Sequence, residues 1–493
     1  MSSLRKFFIQ YTHFLSGSSL TLLLGLISFP ILTRILTHEE YGIMGLVNTT
    51  LFLAVALAKG GLSDGIIRFY KEYSESNDKL AVFSSTIMIR GLVLSLLTAL
   101  LYISIFPFIS GYLNINAKYV TVFIIMAIYL FVRPLNIIVL NMLRVTGKTI
   151  FYNSINIIDK ILSIGFSLLL LIYLLKGLYG YFIGIILAEI IVSIILFYWF
   201  LSNYKIIPNN VSGELAVKLI KFGTPLLITE LSYLLLSYAD RYMIVAYYGE
   251  EVLGLYSVGY NLASYLSNII MFSLSYTVVP LYVDIYEKDG KEKTEEFLQR
   301  CLHYLIIAVI PVFFGYLAIS NDLFITLASV KYASAAAFSP IILLGALFLG
   351  INYIFNAGLY LKKKSMTLLA IMLSAVVINI ILNIILLPQY GVMGAAIATL
   401  LACIATTIAT ILLSYRYIVV RADIKAALYY LILSCIMYFA VKQIETGVVW
   451  VNLASKIIAG VLIIAPGVLF REDEIRNKLK SVLPLRFNKS KIN

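Results

Sequence analysis

Apolar residues fill fourteen separate stretches of this 493-residue chain, and polar residues gather in the short gaps between them. Most stretches are about 20 residues or longer, the length that an α-helix rising ~1.5 Å per residue needs to cross a hydrocarbon core of ~30 Å. The pattern therefore predicts an all-α integral membrane protein with 14 transmembrane helices. The stretches cover residues 12–33, 43–66, 82–107, 119–142, 150–174, 178–203, 219–247, 252–283, 301–320, 335–361, 365–387, 391–415, 425–444 and 449–470.

Lysine and arginine concentrate in every second gap. Of the 38 basic residues, 27 lie at the N-terminus or in the gaps 68–81, 143–149, 204–218, 284–300, 362–364, 416–425 and 471–493, allowing for two at helix ends, and six lie in the alternate gaps. Because positively charged loops remain on the cytoplasmic side, both termini are predicted to be cytoplasmic, in an inner or plasma membrane. The net charge of +13 then reflects topology and attraction to anionic headgroups, so we expect no nucleic-acid partner.

Composition excludes several other classes of function. The chain is 61% hydrophobic and 13% charged, which leaves little sequence for a soluble domain. Its three cysteines and three histidines lack the spacing of a metal site, so no metal is expected. No GxxxxGK[ST] motif occurs, and we expect neither ATP nor another cofactor. Coupling to Na⁺ or H⁺ remains open.

The chain also repeats itself. Residues 61–70 align with 273–282 at an offset of 212, and Gly42 and Gly254 have the same offset, each after an acidic pair. Gly180 and Gly391 are 211 apart. Six helices per repeat make the halves parallel, an arrangement that permits alternating access to a site between them. We predict an N-lobe at 1–215, a C-lobe at 216–420, two appended helices at 421–470 and a basic cytoplasmic tail at 471–493.

Three segments resemble a known family of membrane proteins. The first runs from Phe29 to Gly42 and has the form P-x-x-x-R-x-L, a short acidic turn, then Y-G. The second joins Asp240-Arg241 to the G-x-Y-S segment beginning at Gly254, and the third is the turn at 390–396. Together they resemble the polysaccharide-type (Wzx-like) lipid-linked oligosaccharide flippases of the multidrug/oligosaccharidyl-lipid/polysaccharide exporter superfamily. His38 departs from the proline expected in the first turn, which is a loop position.

The resemblance implies a substrate and a route. Such a protein is expected to carry a polyprenyl-pyrophosphate-linked oligosaccharide, of the polysaccharide or O-antigen repeat-unit type, from the cytoplasmic to the outer leaflet. The charged head would cross in a polar cavity between the lobes while the polyprenyl tail stays in lipid. Membrane lipids, and other membrane proteins of polysaccharide assembly, are the expected partners.

Ionisable residues within apolar stretches supply the candidate site, because each costs about 2.5–3.5 kcal/mol to insert and is usually retained for a cavity or a partner. Arginine suits a pyrophosphate because its planar guanidinium gives two hydrogen bonds and keeps its charge. We therefore favour four arginines as cavity or pyrophosphate groups: Arg34, Arg68, Arg90 and Arg241. Three carboxylates are candidates for a gate, an ion site or an interhelical ion pair: Asp64, Glu230 and Asp240.

Aromatic and hinge positions complete the set. Tyr238, Tyr260 and Tyr265 lie in the middle of the seventh and eighth stretches, where their rings suit sugars. Pro30 precedes Arg34 by one helical turn, so a bend there is predicted to move that arginine between states. Asp159, Lys160 and Glu189 are interpreted as structural charges.

Two alternative functions remain. The nearest is an ion-coupled, MATE-like exporter of amphipathic organic cations, for which an acidic cavity is expected instead of arginines. The more remote is a membrane glycan polymerase, an enzyme that usually needs a large outer loop for its catalytic acid. The outer gaps here are all short. A membrane transporter is therefore preferred to an enzyme.

Overall fold

The computed structural model of the protein describes residues 24–174, 177–473 and 475–477, with backbone only at 272–277. These residues form helices, turns and short connections, without a strand among them. We number the helices α1 to α14: Leu24–Ile35, His38–Tyr73, Asn77–Tyr112, Ala117–Val145, Thr149–Leu174, Leu178–Asn203, 213–248, 250–289, 291–323, Ser339–Leu361, Ser365–Tyr390, Val392–Ser414, Ile424–Lys442 and Val449–Arg471.

Two glycines divide what is otherwise one helical run into α7, α8 and α9. Gly249 and Gly290 have φ of 79° and 83° within Gly213–Leu323. Such positive φ values are accessible to glycine at little cost, so the chain reverses there with almost no loop. Twelve helical segments among the described residues are long and apolar enough to cross a membrane, and two of them lie within the run 213–328 that these glycines divide. The predicted all-α membrane fold with 14 helices is confirmed.

The helix boundaries differ from the apolar stretches where polar residues extend a helix. The second apolar stretch covers 43–66, whereas α2 begins at His38 because Thr37, its N-cap residue, forms a reciprocal capping box with Glu40. At its other end α2 bends at Gly60 and Gly61 and continues to Tyr73 as an amphipathic segment. Hydropathy detects only the part of a helix that lies in hydrocarbon. Residues 12–23 of the first stretch, and 474 and 478–493 of the basic tail, lie outside the described residues.

The beginning of α2 packs directly on the turn between α7 and α8. A Cβ atom added to Gly42 would lie 2.1 Å from the carbonyl oxygen of Glu250, and one added to Gly254 would lie 1.9 Å from that of His38. Two further hydrogen bonds join the halves nearby: Glu250 accepts from the Asn116 backbone N–H at 2.8 Å, and Lys331 donates to the Leu36 carbonyl at 2.6 Å. The two halves therefore touch backbone to backbone on the predicted outer side.

A second close approach joins the same helices at the other end of α2. A Cβ atom added to Gly223 of α7 would lie 2.0 Å from the carbonyl oxygen of Gly61. Nearby, the Lys59 ammonium lies 2.7 Å from the Glu230 carboxylate. The pair α2 and α7 thus holds the halves together along its whole length.

The two appended helices are fixed to α9. Lys456 of α14 lies 2.7 Å from the Asp322 carboxylate, and both side chains are buried. Toward the other end, Glu472 accepts a hydrogen bond from Tyr430 at 2.9 Å and lies 3.1 Å from His303. These contacts attach α13 and α14 to the second half of the molecule. The residue limits of the two lobes remain predictions.

Substituting Gly254 with alanine is expected to open the predicted outer side. The added methyl overlaps the His38 carbonyl, and overpacking of this kind costs about 1–3 kcal/mol, or roughly 5- to 150-fold in a conformational equilibrium. Spin labels at Ile35 and Glu251 should then report a larger population of long distances. Gly165, which has no heavy atom within 4 Å of an added Cβ, provides the control Gly165→Ala. An unchanged distance distribution in Gly254→Ala would contradict the inference that this backbone contact holds the halves together on the predicted outer side.

Candidate functional site

A cavity of about 700 Å³ lies between the two halves of the molecule. Its walls come from α1, α2, α4, α5 and α6 on one side and from α7 and α8 on the other. Besides its charged groups, it is rich in neutral polar side chains: Asn48, Asn153, Asn156, Asn261, Asn268, Tyr41, Tyr129, Tyr152, Tyr181, Tyr238 and Tyr265. A polar chamber of this kind within apolar helices is suited to a hydrophilic ligand.

Two helices present a polar stripe to this cavity. On α5, Tyr152, Asn156, Asp159 and Ser163 recur at intervals of three or four residues and all line the cavity. On α8, Asn261, Ser264, Tyr265 and Asn268 recur in the same way. Residues three or four apart share one face of a helix, so each stripe faces inward while the remaining surface meets lipid or other helices.

Arg241 links the halves at the cavity wall. Its side chain is only 3% exposed, and Nη1 donates to the Gly45 carbonyl at 3.2 Å and to the Thr49 hydroxyl at 3.1 Å, both on α2. The guanidinium lies 4.8 Å and 5.0 Å from the ring centres of Tyr238 and Tyr260, as in cation–π contacts. Its buried Nε–H has no hydrogen-bond partner in the described part of the chain. The group therefore retains donor capacity for an anion.

A second charged group lies in the opposite wall. Arg133 of α4 lies 3.1 Å from Asp159 of α5 and 3.2 Å from Glu189 of α6. Glu189 is 2% exposed and also accepts a hydrogen bond from Asn136 at 2.7 Å. Two carboxylates thus hold this arginine in place, and it is not free to engage a phosphate without breaking an ion pair.

Lys160 lines the same cavity beside this cluster. The charge of Asp159, its neighbour in sequence, acts on it, but it forms no ion pair within 4.0 Å among the described residues. Lys160 from the first half and Arg241 from the second are therefore the cavity cations that are not held by a carboxylate within ion-pair distance.

The structure brings several of the predicted site residues to this region. Tyr238, Tyr265 and Arg241 line the cavity, and Tyr260 lies against the Arg241 guanidinium. Asp240 is 1% exposed and accepts a hydrogen bond from Tyr256, so it points away from its neighbour Arg241. This agrees with the angle of ~100° between successive side chains of a helix.

Other predicted residues lie elsewhere. Glu230 forms its ion pair with Lys59, and Asp64 is close enough to both for their charges to interact. Arg68 is exposed and pairs with Glu72 one helical turn away at 3.3 Å. Arg90 is exposed on α3 and does not line the cavity.

Arg34 is exposed near the end of α1, beyond the cavity. It donates to the carbonyl oxygens of Thr326 at 2.7 Å and Pro30 at 3.1 Å. Pro30 lies within the continuous helix Leu24–Ile35, and its carbonyl also accepts from Thr33. Arg34 thus joins α1 to the π-helical segment Phe324–Ala328 that follows α9. Whether Pro30 acts as a hinge remains a prediction.

Sequence reasoning missed the contribution of α5. Asp159 and Lys160 were interpreted as structural charges, yet both line the cavity. The available signal was the stripe that begins at Tyr152, because a helical recurrence of polar residues within an apolar stretch indicates one face withdrawn from lipid. The asparagines carry no charge and were overlooked for that reason. No group of three or more potential metal ligands occurs in the described ranges.

Comparisons with known proteins identify the class. Residues 11–286 match the model of a family described as polysaccharide biosynthesis proteins, and residues 225–385 match the MatE family. An uncharacterised membrane protein of Methanocaldococcus jannaschii is 27% identical over 69% of this chain and 70% of its own length. Agl15 of Haloferax volcanii, a probable low-salt glycan biosynthesis flippase, is 25% identical over 54% of this chain and 51% of its own length.

Solved structures share the fold. The lipid II flippase MurJ in an inward closed conformation superposes with a TM-score of 0.77 at 18% identity, over 94% of this chain and 99% of its own. An inward-facing MATE multidrug transporter gives 0.67 at 15% identity over 80% and 94%, and an outward-facing one gives 0.53 at 16% identity over 82% and 94%.

The family matches and the candidate membrane spans define a multi-pass membrane protein. Within that class, the chain belongs to the family of polysaccharide biosynthesis proteins. The predicted family is therefore confirmed. The relatives with described roles are flippases and transporters, which supports the preference for a transporter over an enzyme.

Substituting Arg133 with glutamine is expected to destabilise the protein strongly. Asp159 and Glu189 would lose their shared cation, and breaking a buried ion pair typically costs about 3–5 kcal/mol. Thermal unfolding in detergent should show a large drop, partly restored by adding Glu189→Gln. Arg90→Gln, at an exposed site, should change stability by less than about 0.5 kcal/mol. Equal effects of the two arginine substitutions would refute the cluster's structural role.

Proposed function

We propose that the protein is a flippase that translocates a polyprenyl-pyrophosphate-linked oligosaccharide from the cytoplasmic to the outer leaflet by alternating access. The observation that carries this proposal is the cavity between the halves, with Lys160 on one wall and Arg241 on the other. The free energy of transferring a doubly charged pyrophosphate head from water into hydrocarbon is prohibitively high. Cations on opposite walls of a cavity replace part of the hydration that the head loses.

The charges of the cavity favour an anion. Among the described residues, Arg133, Lys160 and Arg241 line it together with one carboxylate, Asp159. Glu189 lies behind them as a second carboxylate against Arg133, so with both carboxylates ionised these five groups carry a net charge of +1. The two cations that remain face the cavity from helices of different halves. A ligand that bridges them would couple its own binding to the relative position of the halves.

The neutral lining suits the glycan. Asparagine amides and tyrosine hydroxyls both donate and accept hydrogen bonds, as sugar hydroxyls do, and aromatic rings offer apolar faces to sugar C–H groups. The polyprenyl tail would remain in lipid throughout. Agl15, named as a glycan biosynthesis flippase, and MurJ, named as a lipid II flippase, support a lipid-linked saccharide as the cargo.

The proposal includes an orientation. With 27 of 38 basic residues on one side, both termini would lie in the cytoplasm of a cell that holds this protein in its inner or plasma membrane. The protein's partners would then be the lipid-linked oligosaccharide, membrane lipids and other membrane proteins of polysaccharide assembly.

Export of an amphipathic organic cation is the second candidate. The MatE family match over 225–385 and the abundance of tyrosine in the cavity favour it. The surplus of cationic over acidic lining groups opposes it, because a cationic ligand would be repelled unless Lys160 and Arg241 were withdrawn.

Removing either cavity cation is expected to slow translocation of a fluorescent pyrophosphate-linked oligosaccharide in proteoliposomes. A hydrogen bond to a charged group contributes about 1.5–3 kcal/mol, so Lys160→Gln and Arg241→Gln should each reduce the rate about 10- to 100-fold. Arg90→Gln, at an exposed site, should leave the rate unchanged. Equal loss in all three variants would contradict the assignment, and wild-type export of an organic cation without glycolipid movement would favour the second candidate.

We also propose that an H⁺ or Na⁺ gradient drives the cycle, without a bound cofactor. Asp159 is the carboxylate that lines the cavity, and its buried Oδ1 has no hydrogen-bond partner in the described part of the chain. It is therefore the candidate ion-binding group. An H⁺ gradient and a Na⁺ gradient should be imposed separately across the proteoliposome membrane. We expect one of the two to accelerate translocation. Identical rates under both gradients and under none would exclude such coupling.

A further inference from the structure

A second, smaller cavity lies entirely within the second half of the molecule. It has a volume of about 180 Å³ and is enclosed by α7, α8, α10 and α12. Tyr238, Ser264 and Asn268 line both this cavity and the large one, so the two adjoin. Since a water molecule occupies ~30 Å³ in the liquid, the smaller space holds about six waters and is of the size of one sugar ring.

Among the described residues, the lining of this side cavity carries no Lys, Arg, Asp, Glu or His. It offers hydroxyl groups from α7, α8 and α12, including Ser237, Ser264 and Thr399, and the rings of Tyr238 and Tyr260. Hydroxyl groups can donate or accept as a ligand requires, and the rings supply flat apolar surface. Such a site matches a neutral molecule with many hydroxyl groups.

The two tyrosines also form the connection to the charged region. Arg241 lies 4.8 Å from the ring centre of Tyr238 and 5.0 Å from that of Tyr260. Both rings line the side cavity. The Arg241 guanidinium and the side cavity therefore share Tyr238 and Tyr260 as neighbours. A sugar joined directly to a pyrophosphate at Arg241 lies within reach of the side cavity.

We propose that the side cavity is a subsite for one uncharged sugar of the lipid-linked glycan, the sugar next to the pyrophosphate. The inference rests on the proposed function and adds a selectivity to it. A uronic acid placed there would lose hydration without meeting a counter-charge, and a free amino sugar would do the same. The protein would thereby select for a neutral sugar next to the pyrophosphate and accept different sugars in the rest of the glycan.

Three fluorescent polyprenyl pyrophosphates test the selectivity on the wild-type protein in proteoliposomes. One carries no sugar, one carries a single neutral hexose and one carries a single hexuronic acid. We expect the hexose lipid to move at least about tenfold faster than the hexuronate lipid. A tenfold rate ratio corresponds to a difference of ~1.4 kcal/mol in transition-state free energy.

Filling the cavity tests its location. Ala346 of α10 lines the side cavity but not the large one, and Ala346→Leu would occupy part of the space. We expect this variant to move the hexose lipid about tenfold more slowly and the sugar-free lipid at the wild-type rate. Ala370→Leu, at an exposed alanine of α11, is the matched control for an added side chain and should not change either rate.

The outcomes separate the two proposals. If the wild-type protein moves none of the three lipids, the proposed flippase function fails. If it moves hexose and hexuronate lipids equally, or if Ala346→Leu slows the sugar-free and hexose lipids alike, the function stands and the neutral subsite is refuted. Selective loss of the hexose lipid in Ala346→Leu supports the subsite, and the sugar-free rate shows that this variant is folded.

Discussion

A charged side chain within a bilayer must find its partners inside the protein, and the arrangement of this molecule follows from that constraint. Arg241 meets it by donating to the backbone and a hydroxyl of α2 and by lying over two tyrosine rings. Because α7 and α2 belong to different halves, satisfying one arginine also ties the halves together. The same residue borders the cavity, so its contacts connect the binding region with the closure of the molecule.

The first half meets the constraint differently. Arg133 is neutralised by Asp159 and Glu189, which fixes α4, α5 and α6 relative to one another. This cluster forms a rigid wall, and Lys160 stands beside it in the cavity. One wall thus carries a locked ion-pair cluster and an available amine, whereas the other carries an arginine with an unused donor. An anionic ligand between them would bring together two groups that repel each other in its absence.

The two halves meet through close contacts between glycine residues and backbone atoms of the opposite half. Gly42 on Glu250 and Gly254 on His38 leave no room for a methyl group, and Gly223 on Gly61 repeats the arrangement at the other end of α2. Contacts of this kind depend on shape more than on strong attraction. Small residues at such positions let the backbones of two membrane helices approach closely.

The sequence alone determined the membrane class, the number of helices and the family, because hydrophobic length, charge asymmetry and local motifs are encoded along the chain. It also indicated Arg241, Tyr238 and Tyr265 as cavity groups, since each lies well inside an apolar stretch. The sequence did not distinguish them from Arg90, equally deep in its stretch yet exposed. Which face of a helix meets the cavity depends on how helices pack, and this decided the position of Asp159 and Lys160. Only the tertiary structure revealed a neutral side cavity beside a charged one, because its walls form where α7, α8, α10 and α12 pack together.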